Sequence, residues 1–312
     1  MNLLISGGLG HIGSFLLRNI SDSINVNSIT IVDSMQTQRY ASLFNLPKKP
    51  RFFFIEKKVT TLRKRDFFSN EKIDYVIHLA ATTDASGTVD QSEELFRNNL
   101  GSTKAMIEFC GEFQIPMIFP STTSVYGSQS QLVDETCVDL LPQSPYANCK
   151  LQEEVAVRNA SNFGLSATIL RLGTIHGVSE GMRFHTAVNK FCYQAAYGQP
   201  ISVWRTALNQ NRPYLSLTDA SRAIAHVIDN RIFNAGTYNI VTKNHTVQNI
   251  INSIESTLGS KCEIDFVDHI IMNQLSYEVS NLKFIKTGFK FNGSIEKDIK
   301  DTIRLLSRNN NG

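Results

Sequence analysis

Short apolar runs, most of them closed by glycine or a polar residue, recur along the first half of the chain. Leu3 to Ile5, Ser28 to Val32, Phe52 to Ile55, Tyr75 to Ala81, Pro116 to Phe119 and Ser166 to Leu172 are strand-length and nearly continuous. Such runs suit strands covered on both faces, as in a parallel sheet. Helical spacing lies between them, at Ser14 to Ile20 and through Leu100, Met106, Ile107 and Phe109 to about Phe113. Pro145 opens a further helix, at the early position where proline is tolerated. The alternation predicts an α/β fold, a Rossmann-type doubly wound parallel sheet.

The alternation breaks after Leu172. A helix is expected over about 186–197, a strand at Ile201 to Trp204, and a helix from Ala220 capped by Thr218 or Asp219. A strand at Tyr238 to Val241 follows, and then two helices and a short strand near 262–267 within 246–306. Residues 1–172 are therefore expected to form a nucleotide-binding domain, with a return segment near 213–242. Residues 173–312 would form a smaller α/β lobe over its ligand-binding edge. Asp84 to Gly101 is expected to contain loop and helix, the polar residues 128–143 to be loop, and Arg308 to Gly312 a frayed tail.

Composition narrows the class. Of 312 residues, 42% are apolar and 19% charged, values ordinary for a globular enzyme. A net charge of +3 is too small to argue for nucleic acid or a membrane surface. The basic stretch 48–65 surrounds Phe52 to Ile55 and reads as the solvated ends of a buried strand. No apolar run reaches membrane-spanning length, and Met1 to Ile5 lacks a signal peptide's charged lead. The 5 cysteines show no metal-ligand spacing and leave an odd one over, so no metal is expected. Reduced thiols in a cytoplasmic protein account for them.

Candidate chemistry begins at Gly7-Gly8-Leu9-Gly10-His11-Ile12-Gly13, between the first strand and the first helix. Glycines there allow a tight turn and a close approach to a pyrophosphate, which a helix N-terminus stabilises. Asp33 lies twenty residues past Gly13 at the end of the second strand. A carboxylate so placed accepts ribose hydroxyls and repels a 2′-phosphate, favouring NAD over NADP, although Arg39 is close by. Small residues at Ala80 and Ala81 would admit a flat cofactor, whereas His78 reads as a buried, hydrogen-bonded histidine. Tyr146 and Lys150 share a helix face, where an ammonium would draw the phenol's pKa down towards working pH. Ser121 to Ser124 puts four hydroxyls at the carboxyl end of a strand, where α/β sheets bind ligands.

Gly7-x-x-Gly10-x-x-Gly13, Asp33, His78-Leu79-Ala80-Ala81, Asn99, Ser121-Thr122, Tyr126-Gly127 and Tyr146-x-x-x-Lys150 together resemble the extended short-chain dehydrogenase/reductase family, over nearly the whole chain. The resemblance continues through Leu170-Arg171-Leu172, Arg212-x-Tyr214 and Asp219. It implies an NAD-dependent enzyme acting on a nucleotide-diphosphate sugar, and a homodimer formed through the helices near 100–113 and 146–162. By the same resemblance Thr122, Tyr146 and Lys150 would be catalytic. Gly7, Gly10, His11, Ile12, Gly13, Asp33, Val59, Leu79, Ala80, Ala81 and Asn99 would join Tyr146 and Lys150 around NAD. Thr122, Thr123, Thr174, Arg183, Asn189 and Arg212 would meet the substrate, with Arg212 on its diphosphate.

Departures from the family pattern bear on subclass. Dehydratases carry Asp-Glu directly after the catalytic threonine, where this chain has Thr123 and Ser124, so a 4,6-dehydratase is disfavoured. A decarboxylase, with glutamate at the position of Ser124, is disfavoured as well. A 4-epimerase is expected, with a sugar dehydrogenase or 4-keto reductase as the alternative and a non-catalytic NAD-binding protein ranked below both. Lys58 stands where an acidic residue would recognise adenine, and Thr174 where an asparagine follows the sixth strand. A second phosphate-binding arginine is missing near Leu275 and Ser276.

Overall fold

The computed structural model describes residues 1–66, 72–83, 89–267 and 276–307. The expected loop residues from Asp84, Leu275 and the tail Arg308 to Gly312 lie outside them. The first six strands are β1 (Asn2–Ser6), β2 (Ser28–Asp33), β3 (Arg51–Glu56), β4 (Tyr75–His78), β5 (Met117–Thr122) and β6 (Ala167–Leu172). With β10 (Thr237–Ile240) they form one parallel seven-stranded sheet in the order β10-β6-β5-β4-β1-β2-β3.

Alternate residues of these strands feed two cores, as the two-residue period of a strand requires. Leu3, Ile5, Ile29, Ile31 and Ile77 pack with α1 (His11–Asn19) and α5 (Leu217–Asp229). Leu4, Val32, Val76, Met117 and Phe119 pack on the other face with α2 (Val89–Phe113) and α3 (Pro145–Asn162). The strand order reverses between β1 and β4. In open α/β sheets the crevice outside the carboxyl ends at such a point holds the ligand.

The remaining elements are β7 (Thr174–His176), α4 (Ala187–Ala196), β8 (Ile201–Trp204), β9 (Asn211–Ser216), β11 (Lys243–Thr246), α6 (Val247–Leu258), β12 (Ile264–Val267), α7 (Leu282–Ile285) and α8 (Ile295–Ser307). They supply a three-stranded sheet, β11-β9-β7, and a two-stranded one, β12-β8. Phe191, Ile201, Val203, Ile250, Ile254, Ile299 and Ile303 close a separate core among them.

Two local expectations are corrected. The helix expected from Ala220 starts at Leu217 and is capped by Ser216, whose Oγ accepts the Thr218 N–H at 3.3 Å. Asp219 lies inside that helix, fully buried, and accepts the N–H groups of Asn292 and Gly293 (3.0 and 2.9 Å) and the Thr242 hydroxyl (2.8 Å). No strand is expected between Trp204 and the helix from Ala220, yet Asn211–Ser216 form strand β9. Pro213 obscures the strand because proline cannot donate to a ladder.

Helix α3 is fixed to the sheet by Glu154, which is fully buried. Its carboxylate takes Arg171 Nε and Nη2 of β6 at 2.9 and 2.8 Å, the Ser121 hydroxyl of β5 at 2.6 Å, and Arg158 of its own helix. Removing one member of a buried pair strands the other's charge. Glu154→Ala is therefore expected to lower unfolding stability by about 3–5 kcal/mol in urea denaturation. A loss under about 1 kcal/mol, the scale of an exposed pair, would refute that role.

Candidate active site

At the carboxyl end of β1 the chain turns through Gly7, whose φ is +67°. A Cβ at Gly7 would stand 2.6 Å from the backbone of Ala80, and one at Gly13 would stand 2.5 Å from the Gly8 carbonyl oxygen. The turn is thus pressed against the end of β4 and against itself, and α1 starts one residue after Gly10. The first N–H groups of a helix have no acceptor within it, so the start of α1, with His11 and Ile12, is suited to an anion. The His11 ring is engaged elsewhere: Nε2 lies 2.9 Å from the Gly177 carbonyl oxygen, and burial pulls its pKa down to about 4.

Asp33 closes β2 and is held in place by main-chain donors, with Oδ2 accepting Leu9 N–H (3.2 Å) and Oδ1 accepting Met35 N–H (3.0 Å). It lines a groove of about 310 Å³ with Gly7, Val59, Leu79, Ala80 and Ala81, which converge there as the sequence indicated. Arg39, Lys58, Arg183 and His185 also line it. Asn99 is buried and spans the backbone of Thr82, accepting its N–H at 2.7 Å and donating to its carbonyl at 2.8 Å. Its side chain thus shapes the loop that follows β4.

The start of α3 carries Tyr146 and Lys150 and lies outside the residues that line this groove. Ser144 caps it, accepting Ala147 N–H at 3.1 Å, and Pro145 takes the first turn. Lys150 is buried, its Nζ 4.6 Å above the Phe119 ring of β5 and 3.3 Å from Glu153 Oε2. Burial alone would lower the ammonium's pKa, but Glu153 and then Tyr146 outweigh it and leave Lys150 above the ordinary lysine value. For Tyr146 the result reverses the sequence expectation. Burial dominates and raises the phenol above its usual range, while Lys150 and Arg183 pull it down and Glu153 pushes it up.

The hydroxyl run divides by the strand's alternation. Ser121 is committed to Glu154. Thr123, expected at the substrate, is instead buried, donating to the Leu172 carbonyl at 3.3 Å and lying 3.4 Å from the Tyr277 hydroxyl. Thr122, only partly buried, ends β5, accepts Ser124 N–H at 3.1 Å and donates to the Ser124 hydroxyl at 3.2 Å. Tyr277 was not foreseen; it follows a segment without periodic pattern, so no sequence signal marked it.

Facing elements carry the other predicted residues. Arg212 on β9 sets its guanidinium 5.3 Å from the centre of the Trp204 ring of β8 and has Tyr214 and Tyr277 as electrostatic neighbours. Thr174 begins β7, opposite Tyr214. Asn189 is fully buried and donates from Nδ2 to the Arg183 carbonyl at 3.0 Å. The residues before Arg183 strap across α1. Ser179 donates to the His11 carbonyl (2.9 Å), Gly181 N–H to Ser14 Oγ (2.8 Å), and Glu180 pairs with Arg18 (2.9 Å). Arg183 is thereby carried to the cofactor groove, where its charge also acts on Tyr146.

Comparison with known proteins agrees with this geometry. Residues 3–240 match the model of the NAD dependent epimerase/dehydratase family, and the chain belongs to that family. It is 28% identical over 280 residues to the uncharacterized UDP-glucose epimerase YtcB of Bacillus subtilis, covering 86% of each chain. It is 24% identical, over 99% of its length, to a trifunctional UDP-glucose 4,6-dehydratase/UDP-4-keto-6-deoxy-D-glucose 3,5-epimerase/UDP-4-keto-L-rhamnose-reductase of Arabidopsis thaliana. It spans 47% of that protein. Relatives named as dehydratases therefore stand beside those named as epimerases. The fold is shared with UDP-glucuronic acid 4-epimerase of Bacillus cereus, solved with UDP-glucuronic acid and NAD, at a TM-score of 0.87, 22% identity and 99% coverage of both chains.

NAD is the cofactor, and the site fits it: a constrained glycine turn, a free helix N-terminus and a held carboxylate at the end of β2 match pyrophosphate and ribose. Gly7→Ala is expected to weaken NAD binding at least about tenfold, equivalent to about 1.4 kcal/mol, in calorimetric titration. Native affinity in that variant would show that the contact with Ala80 does not shape the cofactor site.

Proposed function

We propose that the protein is an NAD-dependent nucleotide-sugar 4-epimerase. The observation that carries this reading is the buried Lys150 ammonium acting on Tyr146, with Thr122 at the end of β5 and, after it, Thr123 and Ser124, neither of which can act as a carboxylate. Water elimination needs an acid and a base beyond the hydride partner, and the residues after Thr122 offer none. Epimerisation needs only removal and return of one proton together with the hydride.

Tyr146 takes the proton of the sugar hydroxyl and later restores it. Lys150 keeps a positive charge near the phenol and lowers the cost of its ionised form. Thr122 holds the sugar oxygen within reach of Tyr146, so that proton transfer occurs from a fixed geometry. NAD, when bound, supplies acceptance and return of the hydride at the sugar carbon. Arg212 offers a planar fork of donors suited to a diphosphate, and Trp204 beside it offers a flat face to a nucleobase. The names of the Bacillus relatives, both epimerases of UDP-sugars, support this substrate class. We also infer a homodimer through α2 and α3, where Val155 on α3 and Phe163 just past its end leave apolar side chains exposed.

The test is direct. Purified protein with NAD is incubated with a panel of uridine-, guanosine-, cytidine- and thymidine-diphosphate sugars, and products are separated by stereochemistry. Interconversion of 4-epimers without net change in cofactor absorbance is expected. Stoichiometric change in that absorbance would replace the proposal with a net dehydrogenase or reductase, and release of water would replace it with a dehydratase. Tyr146→Phe is expected to lower kcat by about 10²–10⁴-fold while NAD content is retained. Light scattering is expected to give twice the mass of the chain, and a single-chain mass would remove the dimer.

A further inference from the structure

Beneath Lys150 runs a buried polar chain that the proton-transfer set does not use. Ser6 on β1, His78 on β4, Thr103 on α2 and Glu153 on α3 are each at most 1% exposed. Ser6 Oγ lies 2.7 Å from His78 Nδ1, His78 Nε2 lies 3.2 Å from Thr103 Oγ1, and Thr103 donates to Glu153 Oε1 at 2.5 Å. Cys149 reaches Glu153 Oε2 at 3.9 Å, and Lys150 reaches the same oxygen at 3.3 Å.

The direction of every bond follows from counting protons. Thr103 has one hydroxyl hydrogen and gives it to Glu153, so it can only accept from His78. His78 must then carry its proton on Nε2, leaving Nδ1 to accept from Ser6. Burial, with Lys150 adding to it, pulls His78 down to about 3, so the ring is neutral and one tautomer suffices. The chain therefore points from Ser6 towards Glu153, which receives donors and gives none. A group in that position is a carboxylate, and its charge is the buried counter-charge of the Lys150 ammonium.

We propose that Glu153 is a positioning residue for proton transfer, holding the Lys150 side chain in place and setting, by its own charge, where Tyr146 ionises. The proposal rests on the assignment of Tyr146 and Lys150 as the proton-transfer pair. Glu153 acts on both: it positions the ammonium, which Tyr146 also helps to keep charged, and its own negative charge disfavours phenolate at Tyr146. The groups facing Tyr146 are Lys150, Cys149 and Glu153 from α3 and Arg183 from the strap over α1. Those facing Glu153 are Lys150, Cys149, Thr103 and, through Thr103, His78. Glu153 is the only carboxylate among these described neighbours. Its removal leaves Lys150 and Arg183 unopposed at the phenol, so Tyr146 should ionise at lower pH.

The test is a tyrosinate absorbance titration of the NAD-loaded protein, with the Tyr146→Phe titration subtracted to isolate one phenol. In Glu153→Gln the Tyr146 midpoint is expected to move to lower pH. The acidic limb of kcat/KM, where the phenolate base is lost to protonation, is expected to move the same way. Glu153→Asp keeps the charge but withdraws it by one methylene, and should fall between the native protein and Glu153→Gln. An unchanged or raised midpoint in Glu153→Gln overturns the proposal. If that variant does not fold, a native midpoint in Glu153→Asp overturns it. The titration needs no substrate, so it remains decisive if no nucleotide sugar is turned over and the epimerase assignment fails.

Discussion

The fold depends on how α3 buries charge. Glu153 and Glu154 are consecutive, and one helical step of 100° sends them to different neighbours. Glu154 turns to the sheet and meets Arg171 in a two-bond fork, while Glu153 turns to α2 and meets Thr103 and Lys150. Neither carboxylate could stay ionised in an apolar interior without such donors. Their cost in desolvation is offset by fixed geometry, since buried ionic groups position a helix better than they stabilise it. The helix that carries Tyr146 is thus held at one angle to β5 and β6, and Thr122 at the end of β5 shares that frame.

The same constraint governs the cofactor groove. Asp33 receives two main-chain N–H groups, which fix its carboxylate before any ribose arrives. Around it stand Arg39 and Lys58, with Arg183 brought across by the strap over α1. A groove with one fixed carboxylate among cations attracts a dinucleotide pyrophosphate while keeping a specific acceptor for sugar hydroxyls. Lys58 stands where the family resemblance leads one to expect an acid at adenine, so this chain places charge at that end of the groove differently.

Much of this was legible from residue order. Leu3 to Ile5, Ser28 to Val32 and Phe52 to Ile55 announce buried strands because both faces of a parallel sheet need apolar side chains. Gly7 and Gly13 are legible because no other residue fits their contacts. The rest was hidden for physical reasons. Strands β7 and β11 are short, at 3 and 4 residues, and Pro213 falls within β9. Asp219 looks like a helix cap but serves loop N–H groups that are distant in sequence. Lys150-Leu151-Gln152-Glu153-Glu154 reads as a solvated helix face, yet both glutamates are buried, because their partners Thr103 and Arg171 come from other elements. Pairing across tertiary structure leaves no periodic trace.

The hydroxyl run at 121–124 shows how composition misleads where alternation decides. Four similar side chains in sequence suggested one polar surface. On a strand that runs into a tight turn they separate: Ser121 anchors the carboxylate that clamps α3, Thr123 closes against Leu172 and Tyr277, and Thr122 and Ser124 bond to each other. Thr122 can exchange its bond to Ser124 for one to a sugar oxygen without leaving a buried group unsatisfied, because Ser124 keeps Tyr277 as a partner. Ser121 and Thr123 cannot, because their partners are buried and would be orphaned. Of the four hydroxyls, Thr122 alone has no buried partner to orphan, and neither it nor its neighbours carries a carboxylate, which is why the proposed mechanism places proton transfer on Tyr146.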